Sequence, residues 1–78
     1  MNTEENLVDD QGTTQDEARK LLTNFLSNGF ENDLDAGALV MGRPREEIED
    51  FLNGDEMIDD DFVMKMRGIA QERDIEIE

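Results

Sequence analysis

The sequence lacks histidine, cysteine, tryptophan and tyrosine altogether, and it contains a single proline. Without cysteine, neither a disulfide framework nor a thiol nucleophile can form. Without histidine as well, Ser-His and Cys-His catalytic pairs are excluded, and so is a zinc site built on histidine or cysteine. Acid–base chemistry is left to Asp, Glu and Lys, and none of these shows a catalytic motif. We therefore expect a non-catalytic protein without a cofactor or a bound metal.

Basic residues and long apolar runs are also scarce. Only 7 Lys and Arg residues stand against 22 Asp and Glu residues, so the 78-residue chain has a formal net charge of −15. No apolar run approaches the ~20 residues that cross a membrane. The N-terminus has no basic start of the kind that secretory signals carry. These features predict one small cytoplasmic domain without membrane contact.

The apolar content of 36% is low beside a charged content of 37%, so the placement of the apolar residues decides whether the chain folds. Residues 1–12 contain four acids, no basic residue and one apolar pair, Leu7-Val8. This composition predicts a disordered acidic N-terminal arm. We expect the folded domain at residues 13–73 and a short C-terminal tail at residues 74–78.

A first helix is predicted from the capping box that Thr14 begins and Glu17 ends. Its apolar residues fall on one stripe: Ala18, Leu21, Leu22, Phe25 and Leu26. Gly29 is predicted to take the left-handed position that ends it. A second, short helix is predicted over residues 33–41, with Asn32 or Asp33 as its N-cap. Its inward residues are expected to be Leu34, Ala38, Leu39 and Met41.

A third helix is predicted to begin at Pro44, because proline is favoured at the first helical position. Its apolar face is Ile48, Phe51 and Leu52, and Asn53-Gly54 ends it. Met57 and Ile58 are expected to be buried anchors of the following loop. Acids at 59–61 favour the start of a fourth helix over residues 60–73. The fold class predicted is all-α, a compact bundle of four or five short helices.

The spacing of residues 38–54 is more specific than the apolar pattern. Ala38 lies four residues before Gly42, Ile48 lies six after it, and Gly54 six further on. This segment resembles the helix-turn-helix of the Xre/Cro/phage-repressor (lambda-repressor-like) family. The resemblance continues through Met57 and the fourth helix, and it implies a helix-turn-helix fold and transcription regulation. The fifth helix that is common in the family has no clear counterpart after residue 73.

The charge of the third helix departs from what that resemblance implies. In the family this helix enters the major groove of DNA. The outward positions, carried over by position, are Pro44, Arg45, Glu46, Glu49, Asp50 and Asn53. Three of these six are acids, and residues 43–61 hold 2 basic and 9 acidic residues, a local net charge of −7. Because DNA affinity depends on Lys and Arg at phosphates, this charge disfavours DNA as the partner.

We therefore predict a small regulatory protein that binds a basic surface of another protein. Its contact residues are expected to be Glu46, Glu47, Glu49, Asp50, Asp55 and Glu56. The partner could be a transcription factor, a polymerase subunit or another nucleic-acid-binding protein, and the carboxylates could mimic DNA phosphates. Two alternatives remain open. The acids could be a solvated surface with helix-capping roles, or the protein could be a DNA-binding regulator of the Xre/Cro type that uses Arg43, Arg45 and Asn53.

Two smaller expectations concern cations and self-association. Asp59, Asp60 and Asp61, with Asp55 and Glu56, could attract Ca²⁺ or Mg²⁺. The EF-hand loop pattern is absent, so we expect weak and non-specific association. Met64 falls off the apolar stripe of the fourth helix and is expected to be exposed. With Ile75 and Ile77 it could form a small contact between two copies. We accordingly expect a monomer or a weak homodimer.

Overall fold

Residues 14–78 are described by the computed structural model, and they form four α-helices without a strand. The helices are α1 (Gln15–Phe30), α2 (Leu34–Met41), α3 (Arg45–Asn53) and α4 (Asp60–Arg73). The prediction of a compact all-α bundle is confirmed, and no fifth helix follows α4 in the described residues. The predicted acidic arm at residues 1–12 lies outside them.

Side-chain caps start three of the four helices. Thr14 accepts a hydrogen bond from the backbone N–H of Glu17 at 3.2 Å. Asp33 and Asp59 cap α2 and α4 in the same way. The prediction for Pro44 is wrong by one position, because it is the N-cap of α3 rather than the first helical residue. Its carbonyl accepts the first helical bonds, while its ψ of 147° keeps its own backbone extended.

The end of α1 also differs from the prediction. Gly29 lies inside the helix, and the left-handed turn falls on Glu31 and Asn32, with φ of 54° and 65°. Gly29 serves a different purpose, since a Cβ at this position would lie 2.5 Å from Cδ1 of Ile75. The glycine therefore allows the C-terminal residues to approach α1. The glycines predicted to end α2 and α3, Gly42 and Gly54, do take the left-handed conformation.

The apolar stripes of the four helices meet in one core. Its largest fully buried side chains are Phe25, Phe51, Phe62, Leu22, Met41, Ile48 and Met66. Phe51 of α3 and Phe62 of α4 pack edge to face, with ring centroids 4.9 Å apart. Ile58 of the α3–α4 loop is buried as predicted, but Met57 is 74% exposed. The reason is that Gln15 binds both backbone groups of Ile58, which holds that residue inward and leaves Met57 at the surface.

Residues 74–78 follow α4 as a non-helical tail that packs on α1. Ile77 is only 7% exposed and belongs to the core, and Ile75 packs against the core. The side-chain amide of Asn24 donates to the carbonyl oxygen of Ile77 at 2.9 Å, and that of Asn28 donates to Glu76. Met64 is exposed as predicted. Ile77 is covered by the chain itself and Ile75 is half-buried, so Met64 is the only fully exposed member of the predicted contact between copies. The monomer or weak homodimer stays a prediction.

Candidate functional site

The outer ridge of α3 is acidic. Ile48 and Phe51 are fully buried, so the side of α3 that faces away from the core carries the residues spaced three and four positions apart, namely Glu46, Asp50 and Asn53. Glu46 and Asn53 are exposed and Asp50 is half-buried. This outer ridge bears two carboxylates and no cation.

The loop after α3 adds two more carboxylates. The backbone N–H groups of Asp55 and Glu56 both donate to the carbonyl oxygen of Asp50, at 2.9 and 3.3 Å. These bonds fold the loop back onto the C-terminal end of α3, and both acids are exposed there. The structure therefore brings the predicted contact residues onto one helix and its C-terminal turn. We call this set the acidic face: Glu46, Glu47, Glu49, Asp50, Asp55 and Glu56.

Arg43 is held on one flank of α3 by three contacts. Its guanidinium forms an ion pair with Glu47 at 2.7 Å and a longer one with Asp59 at 3.4 Å. It also lies over the ring of Phe62, 5.2 Å from the centroid. Its side chain is 28% exposed. Arg43 therefore joins the start of α3 to the N-cap of α4, which is a structural role.

Arg45 is held on the opposite flank. It donates to Glu49 at 3.1 Å and to Asp35 of α2 at 3.2 Å. The hydrogen bonds to Glu49 and then to Asp35 raise the pKa of the Arg45 guanidinium above its ordinary value. Arg45 thus stays charged and links the acidic face to α2.

The remaining acids of the acidic face differ from Glu47 and Glu49 in having no ion-pair partner in the described residues. The structure shows no ion pair for Glu46, Asp50, Asp55 or Glu56 within residues 14–78. Their negative charge is not balanced by a neighbouring cation, so it remains available to an external one. Of the residues predicted for DNA contact, Arg43 and Arg45 are paired with carboxylates, and Asn53 alone lies on the outer ridge.

Other cations also bind within the domain. The ammonium group of Lys65 donates to the carbonyl oxygen of Met41 at the end of α2, and Arg19 donates to that of Phe51 near the end of α3. Arg73 lies over the ring of Phe30, and Arg67 pairs with Glu78. Sequence reasoning missed these roles. The spacing of four residues in Arg43–Glu47 and Arg45–Glu49 could have indicated two of the pairs.

The exposed side of α2 was also missed. Leu39 was predicted to face inward, but it is 83% exposed. Residues spaced four and seven apart on one helix share a face, so burial of Ala38 and Met41 beside Leu34 turns Leu39 to the opposite side. Ala36 and Val40 on that side are half-buried. The signal was in the sequence, because Asp35 is the one charged residue of α2 and a single buried face cannot cover all the others.

Neither a metal site nor a membrane span is found in residues 14–78. These residues contain no group of three or more Asp or Glu arranged to hold a metal ion. None of their helices combines the length and hydropathy needed to cross a bilayer.

No protein-family model matches the chain, and neither a curated protein nor a solved structure is significantly similar to it.

Proposed function

We propose that this chain is a small non-catalytic regulatory protein whose acidic face binds a basic surface of another protein. The observation that carries the proposal is the outer ridge of α3. Glu46 and Asp50 stand there without an ion pair in the described residues, while the two neighbouring arginines are paired with carboxylates on the flanks. A surface of this kind repels phosphates and attracts Lys and Arg.

A helix-turn-helix scaffold of the lambda-repressor-like kind is part of the proposal. It is supported by the short α2, the left-handed Gly42 in the connection to α3, and the left-handed Gly54 at the end of α3. It is further supported by the full burial of Ile48, at the position that packs the second helix of the motif onto the first. On such a scaffold the acidic face would occupy the place of a DNA-recognition surface.

The charge pattern indicates the class of partner. Opposite charge across an interface speeds association and selects partners, so a protein with a basic surface is favoured. Transcription factors, polymerase subunits and other nucleic-acid-binding proteins carry such surfaces. In the sharper version of the proposal, the carboxylates of the acidic face take the place of DNA phosphates on the partner. Binding should weaken as salt rises, because these charges are exposed to solvent.

The experiment is an affinity capture with two charge-reversed variants of the full chain. The test variant carries Glu46→Lys, Asp50→Lys and Glu56→Lys, which breaks no ion pair seen in the structure. The control variant carries Glu17→Lys, Glu72→Lys and Glu76→Lys, three exposed acids elsewhere with the same total change in charge. We expect the test variant to lose a basic partner that the control retains. Equal capture by both variants would mean that these acids are a solvated surface without a role in partner binding.

The alternative is a DNA-binding regulator that uses Arg43, Arg45 and Asn53. Those arginines would have to leave their carboxylates, and Glu46 and Asp50 would face the duplex. A gel-shift titration at ~20 mM salt, where phosphate contacts are strongest, decides between the two. We expect no shifted complex. A complex that disappears with Arg43→Gln and Arg45→Gln would overturn the proposal in favour of DNA.

A further inference from the structure

Helix α2 has an unusual composition for its position. Seven of its eight residues are apolar or glycine, and Asp35 is the exception. A helix that is apolar on all sides is normally buried on all sides. Only one side of α2 is buried here, with Gly37, Ala38 and Met41 in the interior.

The opposite side of α2 forms a continuous apolar ridge. Ala36, Leu39 and Val40 are spaced three and four positions apart, so they are neighbours on the helix surface. Leu39 is the most exposed large apolar side chain of residues 14–78, and the other two are half-buried. We call these three residues the α2 apolar ridge. From Ala36 to Val40 the ridge spans about 6 Å along the helix axis, which is about one turn.

The α2 apolar ridge adjoins the acidic face. Asp35 lies one turn before Leu39 on the same helix, and Arg45 bridges Asp35 to Glu49 of α3. The apolar ridge therefore has carboxylates beside it on the α3 side. Asp35 and Glu49 share this one cation, so a net negative charge remains beside the apolar ridge. The combination is complementary to an apolar strip flanked by Lys or Arg.

The same charges exclude other occupants of the ridge. A second copy of the chain would bring two molecules of net charge −15 together at their acidic faces. A bilayer with anionic headgroups would repel the same carboxylates. A basic partner removes the repulsion and covers the apolar side chains at once.

From this arrangement we infer that the α2 apolar ridge and the acidic face form one docking surface for a basic amphipathic helix of another protein. The inference rests on the proposed function and names the partner class: Leu39 inserts between apolar side chains of the incoming helix, and its Lys or Arg residues meet Glu49 and Asp50. The partner helix is recognised through its apolar face, and charge selects the partner.

The probe is a fluorescein-labelled synthetic peptide of 14 residues, with Leu on one helical face and Lys on the other. A matched peptide has each Leu replaced by Ala. Binding is measured by fluorescence anisotropy at ~150 mM salt. The test variant is Leu39→Ser, and the control is Met64→Ser on the outer side of α4. Both side chains are exposed, at 83% and 69%, so both variants should fold, and circular dichroism verifies this.

We expect Leu39→Ser to lower the affinity for the Leu/Lys peptide about tenfold, since the burial of one leucine accounts for a change of this size. We expect Met64→Ser to change the affinity for the Leu/Lys peptide less than twofold. We expect the unsubstituted chain to bind the Ala peptide as weakly as the Leu39→Ser variant binds the Leu/Lys peptide. Equal losses in the two variants, or none in either, would overturn the docking surface while the acidic face could still bind Lys. Binding unaffected by Glu46→Lys, Asp50→Lys and Glu56→Lys would instead overturn the proposed function itself.

Discussion

The C-terminal tail and helix α2 are two short segments that differ in burial in the opposite sense to their regular structure. The tail has no regular secondary structure, yet Ile77 is buried and Asn24 and Asn28 bind its carbonyl groups. Helix α2 is capped at both ends, yet Leu39 is 83% exposed. The difference shows that order along the chain does not decide burial. Helix α1 offers the tail two asparagine donors and the space at Gly29, whereas no described element covers the outer side of α2.

The largest expected effect separates the two segments by stability. Ile77→Ala should lower the free energy of unfolding by about 2 kcal/mol, because it removes a buried side chain at the edge of the core. Leu39→Ala should change it by less than about 0.5 kcal/mol, because the side chain is in solvent. Urea unfolding followed by circular dichroism measures both. Equal losses would mean that α2 is covered or that the tail is not docked.

The second effect concerns how α3 is joined to its neighbours. Arg43→Ala should cost about 1–2 kcal/mol of unfolding free energy, because it removes a half-buried ion pair and a cation–π contact. Arg45→Ala should cost clearly less than Arg43→Ala, because its ion pairs with Asp35 and Glu49 are exposed. The same urea titration applies. A larger loss for Arg45 would show that α2 is fixed to α3 more firmly than α4 is.

The third effect tests how the tail is held. Asn24→Ala should cost about 1 kcal/mol, because the carbonyl of Ile77 loses a partly buried hydrogen bond. Asn28→Ala is the control, since its hydrogen bond to Glu76 is exposed and should contribute less. Thermal unfolding of the two variants gives the comparison. No difference between them would indicate that apolar contacts alone dock the tail.

The smallest expected effect is the change in unfolding free energy when Gly68 or Gly29 is replaced by alanine. Gly68→Ala should stabilise the chain by about 0.5–1 kcal/mol, because helix propensity improves and nothing lies within 4 Å of the added Cβ. Gly29→Ala has the same propensity gain but places its Cβ against Ile75, so the gain should be lost. Chemical unfolding of both variants decides this. Equal stabilisation would contradict the close approach of the tail to α1.

The helices could be predicted from the sequence because their signals are local. The Thr14 N-cap, the apolar stripes of α1, α3 and α4, and the left-handed glycines at 42 and 54 depend on neighbouring residues only, and the structure bears them out. The errors fall where a distant contact decides. Gly29 lies within α1 and packs against Ile75 of the distant tail, and Met57 is exposed because Gln15 holds Ile58.

The site could be predicted in part for the same reason. Glu46 and Asp50 share the outer ridge of α3 because helical spacing places them there, and two Arg–Glu pairs follow the spacing of four residues. The bridges from Arg45 to Asp35 and from Arg43 to Asp59 join residues of different elements, so periodicity within one helix does not indicate them. The composition of α2 indicates that some apolar residue must be exposed, but that this residue is Leu39 depends on which side of α2 the core occupies.

The most direct test of the docking surface is an NMR titration of the ¹⁵N-labelled chain with the Leu/Lys peptide. The same spectra report on the proposed docking surface of α2 and α3 and on the outer side of α4. We predict that backbone amide shifts concentrate at Leu39 and Val40 of α2 and at Glu49 and Asp50 of α3, and that Gly68 and Gln71 on the outer side of α4 stay unchanged. Shifts that concentrate on α4, or that spread evenly over all four helices, would contradict a docking surface formed by α2 and α3.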